Sequence, residues 1–147
     1  MSSARSANPA ANVTTSWTQP IVVDTSALVE LLLATPRSEA VRRATAASEI
    51  VAAELVDAEA LSVIRRLERG RGIDAGRAAD AIAELERAPF RRFQLQPLIA
   101  AAWALRQAVS TYDAFHVALA QALGCPLVTA DHRLARAARR RVAVVLV

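Results

Sequence analysis

The chain has 147 residues, of which 54% are hydrophobic and 22% charged, so it is apolar enough for one folded domain and unlike a disordered chain. All 18 basic residues are arginine, which excludes mechanisms that need a lysine, such as Schiff-base chemistry and Walker-type nucleotide binding. The single cysteine excludes an internal disulfide and a cysteine-based zinc site, and it favours a reducing cytoplasm. The net charge of +4 is compatible with a polyanionic partner.

The first nineteen residues differ in composition from the rest of the chain. They are rich in Ser, Ala, Asn and Thr and lack the apolar stretch of a signal peptide. We therefore expect residues 1–19 to form a flexible N-terminal tail and residues 20–147 to form the domain. No apolar run approaches the roughly 18 residues that span a bilayer, so we expect no membrane contact.

The first half of the domain alternates short apolar runs with helical patterns. The predicted elements, in chain order, are a strand at 21–23, a helix at 27–33 that Pro36 ends, a helix at 39–47 capped by Ser38, a strand at 50–53 and a helix at 54–69. Gly70 and Gly72 end the last of these helices. The pattern is typical of strands connected by crossover helices.

The second half continues in the same way. It contains a helix from the cap Asp74 to residue 87, a strand at 90–96, a helix at 97–106, a helix at 112–123 that Gly124 ends, a strand at 126–129, a helix from the cap Asp131 to residue 140, and a strand at 142–147. Short buried strands alternating with helices predict an α/β fold with three layers, in which helices cover both faces of a mainly parallel sheet.

Four carboxylates, Asp24, Glu59, Asp113 and Asp131, are candidates for a reactive site, although each also has a structural explanation. Asp24 and Asp131 directly follow strands, where either can simply cap the next helix. Asp113 follows Ser110 by three residues, which resembles a capping box, and it lies at the margin of the buried helix face. Asp57 and Glu59 occupy opposite edges of one apolar stripe, and helical spacing does not choose between them.

Taken together, these acids lie at two strand ends and on two crossover helices, which converge at one end of a parallel sheet. Two carboxylates about 4 Å apart repel by roughly 4 kcal/mol at an effective dielectric constant near 20. Such a cluster therefore holds either protons or a cation. Oxygen ligands of this kind favour Mg²⁺ or Mn²⁺.

Three segments give the chain a family resemblance that covers about residues 20–147. Residues 22–28 (VVDTSAL), 112–120 (YDAFHVALA) and 126–135 (PLVTADHRLA) resemble the signature segments of PIN-domain ribonucleases, and most closely those of VapC-type toxins from bacterial VapBC toxin–antitoxin pairs. The sequence departs from the common pattern at Ala108, where Asn is frequent, and at His116, where Tyr is usual. Neither position is one of the acids.

The resemblance implies that Asp24, Glu59, Asp113 and Asp131 form an acidic metal site, and it selects Glu59 over Asp57. Ser26 and Thr129 match hydroxyl positions beside the first and last acids. The implied activity is Mg²⁺-dependent hydrolysis of RNA, with Mn²⁺ as a possible substitute and with products that carry 5′-phosphate and 3′-hydroxyl ends. The implied partners are a cognate VapB-like antitoxin and a second copy of the chain, joined through the early helices.

Two alternatives remain open at the level of sequence. The first is a metal-independent nuclease that uses His116 and His132 as acid and base. The second is a non-catalytic RNA- or partner-binding module whose acidic pocket receives an arginine. Two groups of basic residues are candidates for RNA phosphate contacts or, equally, ordinary surface charges at helix ends: Arg65, Arg66, Arg69 and Arg71, and Arg139, Arg140 and Arg141.

Overall fold

Five parallel strands form the single sheet of the computed structural model, which describes residues 18–147. The strands are β1 (Pro20–Val23), β2 (Glu49–Ala53), β3 (Arg91–Phe93), β4 (Leu127–Thr129) and β5 (Val144–Leu146). Their order across the sheet is β3-β2-β1-β4-β5, and every neighbouring pair is parallel. The predicted tail lies outside the described residues except for Thr18 and Gln19.

Seven α-helices connect and cover these strands within the described part of the chain. They are α1 (Thr25–Leu32), α2 (Ser38–Thr45), α3 (Leu55–Arg69), α4 (Ala75–Arg87), α5 (Ile99–Ala104), α6 (Thr111–Leu123) and α7 (His132–Ala138). The structure confirms the predicted three-layer α/β architecture. In residues 18–147 no helix has the length and apolar character needed to cross a bilayer.

The alternation of side chains along the strands divides the core in two. In β1, Ile21 and Val23 pack with residues of α1, α3 and α4, whereas Val22 packs with residues of α5 and α6 on the opposite face. All three are at most 4% exposed. Because successive side chains of a strand point to opposite faces, a short run of consecutive apolar residues serves both layers.

Three local predictions differ from the structure. Ser38 does not cap α2: Arg37 precedes the helix in an already helical conformation, and Thr35 Oγ1 accepts the Arg37 N–H at 3.2 Å. The strand predicted at 90–96 is only Arg91–Phe93, and a 3₁₀ turn at Gln96–Leu98 leads into α5. The last strand is likewise limited to Val144–Leu146, since its one neighbour, β4, pairs with it over three residues only.

The sheet reverses its strand order between β1 and β4. On one side of β1 the next strands in sequence, β2 and β3, follow in order. On the other side lie β4 and β5, which come from the last third of the sequence. A parallel sheet opens a crevice at such a point, beyond the carboxyl ends of the two strands. Asp24 and Asp131 stand there: Asp24 immediately follows β1, and Asp131 is the second residue after the end of β4.

Candidate active site

A cavity of about 480 Å³ opens at this crevice. Its walls include all four acids singled out in the sequence, namely Asp24, Glu59, Asp113 and Asp131. They come from four separate parts of the fold: the end of β1, helix α3, helix α6 and the start of α7. One arginine, Arg66, also lines the cavity. The cavity is therefore rich in carboxylates although the whole chain is basic.

Asp24 is held by hydrogen-bond donors on both carboxylate oxygens. Its Oδ1 accepts the Ala27 N–H at 2.9 Å, which caps α1, and its Oδ2 accepts the Thr129 hydroxyl at 2.6 Å. The Ser26 hydroxyl lies 2.8 and 2.9 Å from the two oxygens. Asp24 thus acts as a helix cap and also faces the cavity, although only 3% of its surface is exposed.

Burial raises the pKa of Asp24 above its ordinary value of 3.8, and the hydrogen bonds from Thr129, Ala27 and Ser26 offset only part of that effect. The folded chain therefore binds this proton more tightly than the unfolded chain. The stabilisation that the protonated group contributes is fully present below pH 3.8 and is lost as the pH rises through the folded pKa. A nearby cation would favour the charged form and oppose this loss.

We expect the pH dependence of stability to reveal Asp24 directly. In the presence of EDTA, the free energy of unfolding of an Asp24→Asn variant will decrease less between acid and neutral pH than that of the parent chain, because the amide does not titrate. Urea unfolding monitored by circular dichroism across this range measures the difference. Parallel curves for the two proteins would contradict the assignment.

Glu59 is fixed by two partners from other elements. The Thr25 hydroxyl donates to its Oε1 at 2.7 Å, and Nε2 of the buried His116 lies 2.9 Å from the same oxygen. Because a carboxylate only accepts, Nε2 carries the proton of this bond. Burial alone raises the pKa of Glu59, but the hydrogen bonds from His116 and Thr25 and the electrostatic attraction of His116 outweigh it, so this pKa lies below its ordinary value of 4.5.

Asp57, the acid that helical spacing could not distinguish from Glu59, lies elsewhere. Its carboxylate receives Nε and Nη2 of Arg92 at 2.7 and 2.9 Å, a two-pronged ion pair that joins α3 to β3. Asp57 is not part of the cavity wall, whereas Glu59 is. The structure thus assigns these two neighbouring acids to different environments: one to a structural ion pair and the other to the cavity.

The remaining two acids stand at helix N-termini. Asp131 caps α7, with Oδ1 accepting the N–H groups of Arg133 and Leu134 at 2.7 and 3.1 Å. Asp113 lies in the first turn of α6, where its Oδ2 accepts the Ser110 hydroxyl at 2.7 Å. Within the described residues, each of these two carboxylates accepts hydrogen bonds through one of its oxygens only: Oδ1 of Asp131 and Oδ2 of Asp113. The other oxygen of each carboxylate remains available to a ligand.

The hydroxyls of Ser26 and Thr129, which stand at hydroxyl positions of the family pattern, connect the ends of β1 and β4. Ser26 Oγ accepts the Ala130 N–H at 2.8 Å, and Thr129 Oγ1 accepts the Asp131 N–H at 3.0 Å. Both hydroxyls also contact Asp24. They therefore fix the loop that carries Asp131 relative to the first acid.

The carboxylates line one cavity but do not form a preorganised metal-binding site. Among residues 18–147 no three Asp, Glu, His or Cys side chains stand close enough to hold a metal ion as they are. The donor set nevertheless suits a hard divalent cation, since it consists of carboxylate oxygens, and the buried Asp24 has its charged form disfavoured.

The two histidines are not brought together at this cavity. His116 lines it and is 1% exposed, whereas His132 lies on the exposed side of α7 and is not part of its wall. Of the candidate arginines, Arg66 reaches the cavity. Sequence reasoning missed the roles of Thr25 and His116 as partners of Glu59. The position of His116, three residues after Asp113 on α6, was the available signal.

Known proteins resemble the chain over most of its length. The PIN domain family model matches residues 21–140. Ribonuclease VapC3 of Mycobacterium tuberculosis is 40% identical over 124 residues, which cover 84% of this chain and 90% of that protein.

Two solved structures share the fold at lower identity. FitAcB from Neisseria gonorrhoeae has a TM-score of 0.63 at 20% identity, covering 84% of this chain and 95% of its own. The sarcin-ricin loop cleaving toxin VapC20 of Mycobacterium tuberculosis has a TM-score of 0.60 at 22% identity, covering 80% and 94%. The family match and the 40% identity to VapC3 show that this chain belongs to the PIN-domain family and, within it, to the VapC ribonucleases.

Proposed function

We propose that this chain is the ribonuclease toxin of a toxin–antitoxin pair and that it hydrolyses RNA with a divalent cation, Mg²⁺ or Mn²⁺, held at the acidic cavity. The observation that carries the proposal is the convergence of four carboxylates, from four elements, on one cavity of a basic chain. An RNA phosphate is repelled by such a cavity unless a cation intervenes. The 40% identity to Ribonuclease VapC3 supports RNA as the substrate.

Asp24, Asp113, Asp131 and Glu59 are the residues that would hold the ion. When bound, the ion would neutralise a phosphate oxygen and lower the pKa of an attacking water. The chain itself keeps Glu59 ionised at neutral pH, because the bonds from His116 and Thr25 lower its pKa. Glu59 is therefore suited to orient a water or accept a proton from it, and Asp113 is the second candidate.

We expect removal of divalent ions to stop the reaction. The purified chain will cleave total bacterial RNA in Mg²⁺ or Mn²⁺, EDTA will abolish cleavage, and either ion will restore it. The new ends will carry 5′-phosphates, which are detected because each can be ligated directly to the 3′-hydroxyl of an adapter. Gel analysis of RNA and sequencing of the ligated ends provide the two measurements.

Two outcomes would favour the alternative functions. Cleavage that persists in EDTA and leaves 2′,3′-cyclic phosphates would support a metal-independent nuclease that uses His116 and His132. RNA binding without cleavage in either ion would support a non-catalytic module. The burial of His116 against Glu59 and the position of His132 outside the cavity already count against the first alternative.

We also propose two protein partners. A VapB-like antitoxin encoded with this chain would inhibit it by covering the acidic cavity. A second copy of the chain would pack through the early helices, where Leu61 of α3 is 48% exposed.

A further inference from the structure

A second cavity, of about 240 Å³, adjoins the acidic cavity. Asp113 lines both, so it forms the wall between them. The second cavity has a different character, because its walls carry two arginines, Arg106 and Arg133, and Asp113 is its only acid. We propose that this cavity is a subsite for an RNA phosphate next to the one that is cleaved. The inference rests on the proposed function, since it takes RNA as the ligand.

The charges of these two arginines are not neutralised by a carboxylate in the described structure. Neither guanidinium forms an ion pair with a carboxylate of residues 18–147. Both side chains are exposed, so they are accessible to a ligand that enters from solvent. Arginine is the residue best suited to contact a phosphate, because its planar donors match two phosphate oxygens.

The position of Arg133 has no explanation in helix stability. Asp131 caps α7, which puts Arg133 in the first turn of that helix. A positive charge there faces the positive end of the helix dipole and is disfavoured. An unpaired cation at an unfavourable position, on the wall of a cavity, is better explained by an anionic ligand than by folding.

Arg106 is already held in place beside the same cavity. Its Nη1 donates to the Trp103 carbonyl at 3.1 Å, and its guanidinium lies 4.8 Å from the centre of the Trp103 ring. The stacked group has little freedom left to lose when it binds a phosphate. Contacts of this kind position the RNA strand without reading its sequence.

The test measures RNA affinity without cleavage. All variants are made in a chain that already carries Asp24→Asn. The test substitutions are Arg106→Gln and Arg133→Gln, singly and together. The control is Arg42→Gln, which removes one exposed charge from α2 in the other helical layer. The probe is a fluorescein-labelled pool of short single-stranded RNAs of random sequence, and anisotropy gives Kd between about 50 and 200 mM salt. Thermal unfolding of each variant verifies that it is folded.

Each cavity substitution should weaken binding about fivefold, as expected for an exposed charge contact. Each should also reduce the slope of log Kobs against log salt by about 0.7, the value for one phosphate contact on a single strand. Arg42→Gln should leave the slope unchanged. Arg133→Lys should keep the slope and weaken binding less than Arg133→Gln, because the charge remains and only the planar donors are lost.

Unchanged affinity and slope in the double variant would overturn the subsite. Unchanged RNA affinity with weakened binding of the antitoxin would overturn it as well and would assign the two arginines to a protein partner. The proposed function is tested separately. Failure of the wild-type chain to cleave RNA would overturn that function, while the affinity measurements, which use a parent that does not cleave, would still decide the subsite.

Discussion

An Asp24→Asn variant will lose RNA cleavage by about a thousandfold while it remains folded and still binds RNA. The amide has the size of the carboxylate, and its oxygen can still accept the Ala27 N–H that caps α1. The Ser26 and Thr129 hydroxyls can turn to accept from the new amide group, because a hydroxyl both donates and accepts. What the variant lacks is the negative charge of Asp24 on the cavity wall.

A second readout separates ion binding from catalysis. A ligand present at a hundred times its Kd stabilises a protein by about 2.7 kcal/mol, so saturating Mg²⁺ or Mn²⁺ should raise the Tm of the wild-type chain. The same addition should leave the Tm of the Asp24→Asn variant almost unchanged. Asp80→Asn is the matched control, because Asp80 is an exposed acid of α4 outside the cavity and its removal should affect neither measurement.

Growth arrest on expression gives the corresponding result in cells. The wild-type chain and Asp80→Asn should stop growth, and Asp24→Asn should not. If all three chains cleave RNA equally well, the acidic cavity is not the catalytic site, whatever their thermal stabilities.

The sequence predicted the site largely through the positions of strand ends. Apolar runs identified β1 and β4, and the carboxyl ends of neighbouring parallel strands meet at one edge of a sheet, so Asp24 and Asp131 were expected to converge. The structure shows both on the wall of one cavity. This part of the prediction needed only local patterns and one rule of topology.

Contacts between distant segments could not be predicted in the same way. Asp57 and Glu59 flank one helical stripe, and their separation depends on Arg92, which lies 35 residues from Asp57 and binds it from β3. The contact of Glu59 with His116 spans 57 residues. Helical spacing describes the face of one helix and carries no information on what packs against it, so the resemblance alone selected Glu59.

The errors in local structure have a similar origin. Ser38 has the chemistry of a helix cap, but the turn that begins at Thr35 already places Arg37 in a helical conformation, so the helix begins without a side-chain cap. The strand at 90–96 was predicted too long because its residues alternate, while the observed pairing with β2 covers only three of them, from Arg91 to Phe93. In both places, neighbouring segments overrode the local preference.

Glu59→Gln and Asp57→Asn, the two amide substitutions on α3, will separate catalysis from stability. Glu59→Gln should reduce cleavage about a hundredfold and leave the fold intact, because the amide oxygen can still accept from Thr25 and His116. Asp57→Asn should leave kcat unchanged. It should lower the free energy of unfolding by about 1 kcal/mol, because it removes the charge from a partly exposed ion pair with Arg92.

Single-turnover cleavage and urea unfolding of both variants make the comparison. Since the two acids stand two residues apart on one helix, each variant controls for the effect of placing an amide on α3. A loss of cleavage in Asp57→Asn equal to that in Glu59→Gln would show that α3 supports the site through its fold alone and that Glu59 has no direct part in the reaction. A selective loss in Glu59→Gln follows if its charge acts in the cavity, where the bonds from His116 and Thr25 keep it ionised.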